Sequence, residues 1–524
     1  MTIDDEQPTG AIAPPSDVTE SARGPGVLPA LTIIWHPDLD RAGEIAPLTE
    51  LVENEVAPLT RTQPKFRRPG SDDGRPIGHT DMNRRPALEV STSRGIFELR
   101  RGTANAWVEV DGVPFDKTRR ISSEDLRRGV ILTIGRQFVF CLHEVQYPIT
   151  RGPDLGLLGT SDAIEEVRRA IIRVANRRTP QLIRGESGTG KELAAEALHA
   201  ASSRSSGPFI PRNMALLRPE RAPADLFGYK KGAFTGAAAD SPGYFQAADG
   251  GTLFLDELGQ TLVDVQPMLL RVVEDRVIQP LGSPKALKVD VRIVAATDAK
   301  LEQAVAAGRF DSSLYNRFTS RSEIKLPPLR DRREDIGVLL VHFLRQEIGD
   351  GELHRLHAPD KKNRPWLSPL DIAAVALSPL SRNVRSLAGL AEDLAGAVMG
   401  TPRGDAHRVI ADFLNRDLRA GGTVESIAAQ PHPPPRQAGL ISDQLLAALE
   451  STDWDRTRAK ERLNVSRTTF WRWLGKSPAL RSVAYTSLPD LRREIEVCGD
   501  DLDLVAKKLR TSVILIRRRL GHRG

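Results

Sequence analysis

A glycine-rich loop between an apolar strand pattern and a helix pattern constrains the fold of this chain more than any other feature. The strand pattern is Gln181–Arg184, and the loop consists of Gly185, Glu186, Ser187, Gly188, Thr189, Gly190, Lys191 and Glu192. Glycines let the backbone wrap around phosphate oxygens, the helix start supplies aligned N–H groups, and Lys191 supplies positive charge. Glu192 stands where Ser or Thr usually follows the lysine. The pattern predicts an α/β domain that binds a nucleotide.

Two acidic residues follow a second apolar strand pattern, at residues 250–255. Asp256 is predicted to hold Mg²⁺, and Glu257 is predicted to polarise an attacking water. A third strand pattern ends in Thr297, which would lie beside the γ-phosphate. The alternative is a pair of surface acids after a strand. With the loop upstream, the pattern favours ATP hydrolysis.

A hexapeptide between the loop and the acidic pair combines small residues with one aromatic and one hydroxyl side chain. It consists of Gly232, Ala233, Phe234, Thr235, Gly236 and Ala237. Such a segment can form a tight turn with an apolar tip. An exposed Phe is usually kept for contact with a partner. A surface turn whose Phe packs into its own domain is the simpler interpretation of the hexapeptide alone, but its position between two nucleotide motifs favours a partner contact.

The length of 524 residues exceeds what one core can support, and about three or four domains are expected. There is no apolar run of membrane-spanning length and no signal peptide, so we expect a cytoplasmic protein without a membrane partner. Cys141 and Cys498 are too few for a disulfide framework or a zinc site. The predicted organisation is disorder (1–28), a β-sandwich (29–146), an α/β ATPase domain (153–344), a helical lid (345–400), a linker (401–440), a helix-turn-helix (441–480) and a second repeat of it (481–524).

The C-terminal region is basic and carries an internal repeat at an offset of 46 residues. From Arg436 onward there are 18 Lys and Arg against 11 Asp and Glu, a net charge of +7. In each copy a Ser follows a short helix pattern by a few residues and would cap a second helix. The first recognition helix offers DNA contacts at Ser466, Arg467, Thr468 and Arg472. A solvated basic surface without DNA is the alternative.

These motifs resemble the AAA+ domain of bacterial sigma-54-dependent transcriptional activators, which bind enhancer DNA through a Fis-type helix-turn-helix. The resemblance implies a ring, usually a hexamer, that hydrolyses ATP with Mg²⁺ between its subunits. Residues Gly232–Ala237 would contact the sigma-54 RNA polymerase holoenzyme and convert closed promoter complexes to open ones. The matching segments are 185–192, 225–228, 232–237, 250–258, 326–332 and 383–385.

The resemblance also implies roles for single residues. Asn213 would couple Glu257 to the nucleotide, Thr297 would be the first sensor, Arg385 the lid's sensor arginine and Arg317 an arginine finger acting on the neighbouring subunit. Two positions depart from the family: Asp298 stands where Asn is usual, and Asp311 replaces a second arginine finger. Arginine fingers contribute about 10³–10⁵ in rate in related systems, and an acid would repel the γ-phosphate. The alternative is therefore a DNA-bound regulator that binds ATP with weak or no hydrolysis.

Residues 30–145 resemble a forkhead-associated domain, mostly in their second half. The resemblance implies that Arg84 and Asn105 contact a phosphothreonine on a partner protein or a Ser/Thr kinase. The Ser and His that the family uses for this purpose are replaced by Asn83 and Pro86. A degenerate sandwich that only mediates protein contacts remains the other interpretation. The matching segments are 105–112, 126–129 and 134–136.

Overall fold

A computed structural model of the chain describes residues 26–53, 56–93, 96–135, 137–319, 323–358, 365–400 and 406–420, with the single positions 495, 505 and 516. The chain divides after Thr423, and the ranges up to 420 belong to the first unit. The first predicted helix-turn-helix segment lies outside the described residues, together with the DNA-contact candidates among residues 466–472. Of the second segment, the structure describes only the single positions 495, 505 and 516. None of the helices in the described ranges has the length and apolar composition that a membrane span requires.

The N-terminal part is a β-sandwich of two antiparallel sheets. The first sheet has six strands in the order β2-β1-β10-β9-β6-β7, and the second has four in the order β3-β4-β5-β8. The elements are β1 (Gly26–Trp35), β2 (Ile45–Pro47), β3 (Val56–Leu59), β4 (Leu88–Ser93), β5 (Ile96–Arg101), β6 (Val108–Val110), β7 (Val113–Pro114), β8 (Thr118–Ile121), α1 (Ser123–Arg128), β9 (Val130–Ile134) and β10 (Phe138–Tyr147).

Both faces of β9 are buried, and so are both faces of β10 from Phe138 to His143. Because successive side chains of a strand point to opposite faces, alternate residues enter two different cores. The residues that face the other sheet are Val130, Leu132, Ile134, Phe138, Phe140 and Leu142. The residues on the opposite face are Ile131, Val139 and Cys141, and they pack into the core of the helical lid.

The central part is a parallel five-stranded sheet, in the order β12-β13-β16-β11-β17, with helices and a small antiparallel pair, β14-β15. Parallel pairing brings the carboxyl ends of β11, β12, β13 and β16 to one edge, with Arg184 beside Thr297 and Asn213 beside Asp256. The elements are α2 (Asp162–Val174), β11 (Gln181–Arg184), α3 (Lys191–Ala200), β12 (Phe209–Asn213), α4 (Ala222–Phe227), α5 (Tyr244–Ala247), β13 (Thr252–Asp256), α6 (Gln266–Asp275), β14 (Val277–Ile278), β15 (Leu287–Lys288), β16 (Arg292–Thr297), α7 (Leu301–Ala306), α8 (Ser312–Thr319) and β17 (Glu323–Lys325).

Among the described residues, the lid consists of four helices: α9 (Ile336–Ile348), α10 (Pro369–Leu377), α11 (Val384–Gly400) and α12 (Ala406–Ala420). All four contribute to one apolar core. The predicted boundary between residues 344 and 345 is wrong, because it divides α9, whose apolar side chains belong to that core. The predicted linker at 401–440 is wrong for residues 406–420, where apolar residues at helical spacing pack on the other lid helices.

The predicted limits of the sandwich also need correction. Disorder was expected up to residue 28, but β1 begins at Gly26, which pairs with Tyr147 of β10. The sandwich therefore ends at Tyr147, one residue beyond the predicted limit of 146.

Candidate functional site

The glycine-rich loop joins β11 to α3 as the sequence predicts. Gly188 and Gly190 have φ values of +77° and +100°, a region that favours glycine. Lys191 is buried, and its Nζ donates to the carbonyl oxygens of Gly185 at 3.0 Å and Glu186 at 3.4 Å. Thr189 is also buried, and its hydroxyl donates to the Glu186 carbonyl at 2.8 Å. The loop is thus a compact turn with a lysine ammonium directed into it.

The carboxylate of Glu186 is held by the lid side of the domain. Arg330 donates two hydrogen bonds to it, at 2.7 and 2.5 Å, and the Asn383 amide donates a third at 3.2 Å. The hydrogen bond from Arg330 is the main reason why the pKa of Glu186 lies below its usual range. Glu186 belongs to the predicted nucleotide-binding loop, and its side chain ties that loop to Arg330 and Asn383. Arg330 and Asn383 were not predicted as site residues, although both lie in segments that carry the family resemblance.

The start of α11 lies directly on the loop. The Val384 backbone N–H donates to the Gly188 carbonyl at 3.0 Å, and Arg385 Nη1 approaches the Ser187 hydroxyl at 3.4 Å. A Cβ at Gly188 would lie 2.1 Å from the Arg382 carbonyl oxygen, so any larger residue would force the lid away. Arg385 therefore lies beside the loop.

The acidic edge of the sheet brings the other predicted residues together. The Asn213 amide donates to the Asp256 carboxylate at 3.2 Å. Glu257 follows with φ +54°, and its pKa is raised, first by burial and then by the nearby charge of Asp298, while Lys191 opposes the shift. The Thr297 carbonyl accepts a bond from the Gly185 N–H at 3.3 Å, which ties this edge to the loop.

Asp256 has the donor chemistry for Mg²⁺. The structure gives its carboxylate one neutral hydrogen-bond partner, Asn213, and no ion pair among the described residues. Carboxylate oxygens are ligands that Mg²⁺ prefers, together with substrate phosphates. Glu192, at the usual Ser or Thr position, is exposed on the first turn of α3. The residues present fit a magnesium ion held by Asp256 and a nucleotide.

The two arginine-finger positions lie at α8. Arg317 is more than half exposed and pairs with Glu274 of α6, with Nη2–Oε1 at 2.6 Å. The Asp311 carboxylate accepts a bond from the Leu314 N–H at 2.8 Å and so caps the start of α8. Capping explains in physical terms why an acid is stable at the position where the family resemblance leads us to expect arginine.

The predicted contact hexapeptide is an exposed turn. The Gly232 N–H donates to the Ala237 carbonyl at 2.9 Å, and the Ala237 N–H donates to the Phe234 carbonyl at 3.0 Å. The Phe234 ring packs edge-on against Tyr229, with centroids 4.9 Å apart, yet Phe234 remains 38% exposed. At the base of the turn the Asp240 carboxylate accepts from Lys230 Nζ at 2.6 Å and from the Lys231 N–H at 2.8 Å. Hydrogen bonds therefore hold the base of the turn together, while its tip is exposed.

Arg84 and Asn105 are exposed on neighbouring loops of the sandwich. The loops meet where the Ala104 N–H donates to the Pro86 carbonyl at 2.8 Å. Arg101 joins them further, because its guanidinium donates to the carbonyl oxygens of residues 87, 104 and 106. The structure thus brings the two predicted contact residues onto adjoining loops. The sequence pattern gave no sign of the part played by Arg101.

Comparison with known proteins identifies two matching families. Residues 157–323 match the family described as the Sigma-54 interaction domain, and residues 442–476 match the family described as bacterial regulatory protein, Fis family. The first match contains the glycine-rich loop, the acidic pair and the exposed hexapeptide. The second covers most of the first predicted helix-turn-helix.

Among the relatives of this chain are three regulatory proteins. The Nif-specific regulatory protein of Rhodobacter capsulatus is 52% identical over 189 residues, which are 36% of this chain and 32% of that protein. Transcriptional regulatory protein ZraR of Klebsiella oxytoca is 37% identical over 328 residues, 62% of this chain and 69% of ZraR. The DNA-binding transcriptional regulator NtrC of Salmonella typhimurium is 38% identical over 349 residues, 62% of this chain and 70% of NtrC. The chain thus spans about a third of the first relative's length.

Proposed function

Because this chain belongs to the family of sigma-54-dependent transcriptional activators, we propose that it binds enhancer DNA and hydrolyses ATP to remodel the sigma-54 RNA polymerase holoenzyme. The observation that carries the proposal is the combination of an intact phosphate loop with an exposed Phe-Thr turn in one domain. A nucleotide hydrolase with no protein target has no use for such a turn.

The phosphate loop and the acidic edge supply the chemistry of ATP binding. The backbone N–H groups of residues 185–190 and the start of α3 would surround the phosphates, and Lys191 would turn from the loop carbonyls to the β- and γ-phosphates. Mg²⁺, held by Asp256 and the nucleotide, would neutralise phosphate charge. Glu257 would orient and polarise the attacking water. Asn213, whose amide donates to Asp256 at 3.2 Å, would couple Glu257 to the nucleotide state.

Hydrolysis would require a neighbouring subunit. Arg317 is exposed on α8 and would reach the γ-phosphate bound by the next subunit of a ring, usually a hexamer in this family. Thr297 and Arg385 would sense the nucleotide from the sheet edge and from the lid. Changes at the γ-phosphate would then be passed to the turn at residues 232–237, which would contact sigma-54.

DNA binding is assigned to the region that matches the Fis family. Within it, Ser466, Arg467, Thr468 and Arg472 would face the major groove as a recognition helix, with arginine and hydroxyl groups reading bases and phosphates. Binding to an enhancer would hold the ring near the promoter. The second repeat, at 481–524, would add phosphate contacts through its arginines.

A regulator that binds ATP with little hydrolysis is the second candidate function, and Asp311 is the observation that favours it. Its carboxylate caps α8 at 2.8 Å and carries negative charge where a positive finger would act. Both functions predict nucleotide binding, but only the first predicts turnover.

An ATP hydrolysis assay of the assembled protein distinguishes the two candidates. The first predicts turnover that rises with protein concentration as the ring assembles and is abolished by Lys191→Ala. Lys117→Ala, at an exposed lysine of the sandwich, is the matched control and should behave as wild type. Turnover no higher than that of Lys191→Ala would eliminate the first candidate.

The N-terminal sandwich would receive the signal, and phosphothreonine recognition is the activity that its loops support. Arg84 and Asn105 lie exposed on adjoining loops, joined through Ala104 and Pro86 at 2.8 Å. Binding of phosphothreonine peptides, compared with the same peptides unphosphorylated, tests this assignment. Arg84→Ala should remove the preference and the neighbouring exposed Arg85→Ala should retain it. If wild type binds the phosphorylated and unphosphorylated peptides equally, the phosphothreonine assignment fails. The sandwich would then mediate only protein contacts.

A further inference from the structure

The sandwich and the lid share one apolar core. The outer face of the six-stranded sheet and the helices α9 to α11 bury their side chains in a single cluster. The backbones approach closely, because a Cβ at Gly337 of α9 would lie 2.3 Å from the Ile34 carbonyl oxygen of β1. The sandwich residues of this cluster are Ile34, Trp35, Leu39, Ile131, Val139 and Cys141.

Polar contacts join the same surfaces around the segment Leu329–Asp335, which leads into α9. Arg333 Nη1 donates to the Gly129 carbonyl of the sandwich at 3.1 Å. The Glu334 carboxyl lies 3.8 Å from Nδ1 of His143, on β10. One side of this short segment therefore rests on the sandwich.

The other side of the segment holds the phosphate loop. Arg330 makes the paired hydrogen bonds to Glu186, at 2.7 and 2.5 Å. Arg332 Nη2 lies 3.5 Å from the Thr189 carbonyl oxygen. The Asn383 side chain accepts from the Leu329 N–H at 2.7 Å while its amide donates to Glu186, so the segment also ties the loop to the lid.

We propose that the sandwich is a positioning element of the nucleotide site and acts on it through the segment Leu329–Asp335. Docking of the sandwich fixes Arg333 and α9, and this placement sets where Arg330 and the lid meet the phosphate loop. A signal that loosens the sandwich would then change nucleotide affinity without touching the nucleotide. The inference rests on the proposed function, since it assigns a regulatory input to the same site.

Two glycine substitutions in lid helices provide a matched test. Gly337→Ala inserts a methyl group against β1, whereas Gly396→Ala, on α11, places the same group where no atom lies within 4 Å. Titration of the full-length chain with a fluorescent ADP analogue should give an affinity at least about fivefold weaker for Gly337→Ala. Gly396→Ala should match wild type. If Gly337→Ala lowers the melting temperature but leaves the affinity unchanged, the sandwich only stabilises the lid and the proposal fails.

A second readout needs no destabilising variant. Cys141 is fully buried at the shared face, and Cys498 can be replaced by Ser. Because coupling between two sites is reciprocal, saturating ADP should slow thiol labelling of Cys141 by about fivefold or more. Equal labelling rates with and without ADP would overturn the proposal. Failure of wild type to bind the analogue would instead reject the proposed nucleotide function, so the two failures are distinguishable.

Discussion

Arg317 Nη2 and Glu274 Oε1 lie 2.6 Å apart, in an ion pair that joins α8 to α6 within the chain. More than half of the Arg317 side chain is exposed, so the pair holds the guanidinium at the surface rather than burying it. This is the placement that a group acting on a neighbouring subunit requires. Exposed pairs of this kind contribute little to stability, typically about 0–1 kcal/mol. We therefore propose that Arg317 acts in catalysis between subunits.

Mixing two inactive variants tests this assignment. Arg317→Ala should bind nucleotide normally but lose about 10³-fold or more in hydrolysis rate. Lys191→Ala should lose nucleotide binding yet still present Arg317. Mixed rings should recover part of the activity, because one variant supplies the nucleotide site and the other supplies the arginine. No recovery in rings shown to contain both variants would contradict action between subunits.

Asp311 should stabilise the start of α8 and lower the rate of ATP hydrolysis. Asp311→Ala removes the cap of α8 and should lower the free energy of unfolding by about 0.5–2 kcal/mol. Asp311→Asn retains a capping side chain but removes the negative charge, so its stability should match wild type while its hydrolysis rate rises. Chemical denaturation and ATPase assays measure the two effects. An Asp311→Ala protein as stable as wild type would contradict the capping role.

Asp298 should control the pH dependence of hydrolysis through Glu257. Burial and then the charge of Asp298 raise the pKa of Glu257, while Lys191 lowers it. Since a carboxylate must be deprotonated to polarise water, a raised pKa moves the acid limb of the rate profile to higher pH. Asp298→Asn should therefore shift this limb to lower pH. An ATPase profile with an unchanged acid limb would show that Glu257 does not set it.

Glu334 should make the junction of sandwich and lid less stable as pH rises. Burial, followed by the charge of Asp335, raises the pKa of Glu334 to about 8, although Arg332 opposes the shift. The protonated form is thus favoured in the folded state, and its stabilising contribution is lost as pH increases from the unfolded-state pKa towards about 8.

Glu334→Gln should remove this loss and be more stable than wild type at alkaline pH, by about 1 kcal/mol or more. Urea denaturation at mildly acidic and alkaline pH measures the difference. Glu124→Gln, at an exposed glutamate of α1, serves as the control and should follow the wild-type curve. If the free energies of unfolding of wild type and Glu334→Gln change equally with pH, Glu334 does not cause the loss of stability.

Much of the nucleotide site was predictable because its parts are local in sequence. The strand, the glycine-rich loop and the helix at 181–200 are contiguous, and the carboxyl ends of parallel strands share an edge. Lys191, Asp256 and Thr297 therefore converge without further information. The ion pair between Glu186 and Arg330 was not predictable in this way, because 144 residues separate its members. Only the fold brings them together.

The packing of the sandwich on the lid is reflected in the sequence by a continuous apolar strand. The predicted domain limits do not take this strand into account. A strand with one exposed face shows alternating polar and apolar residues, whereas a strand buried on both faces is a continuous apolar run. Val130–Ile134 is such a run, and all five residues are buried. The lid helices that cover the second face of this strand begin more than 200 residues later in the chain. The sequence alone could not identify them.

Open-complex formation by sigma-54 RNA polymerase is the most direct test of the central claim, that ATP chemistry acts on the polymerase through the turn at residues 232–237. Wild type, Lys191→Ala and Thr235→Ala would be compared on a promoter with its enhancer, with ATPase activity measured in parallel. We predict that wild type opens the promoter only with ATP. Lys191→Ala should fail in both assays, and Thr235→Ala should hydrolyse ATP but leave the promoter closed. Promoter opening by Thr235→Ala at the wild-type rate would contradict the claim.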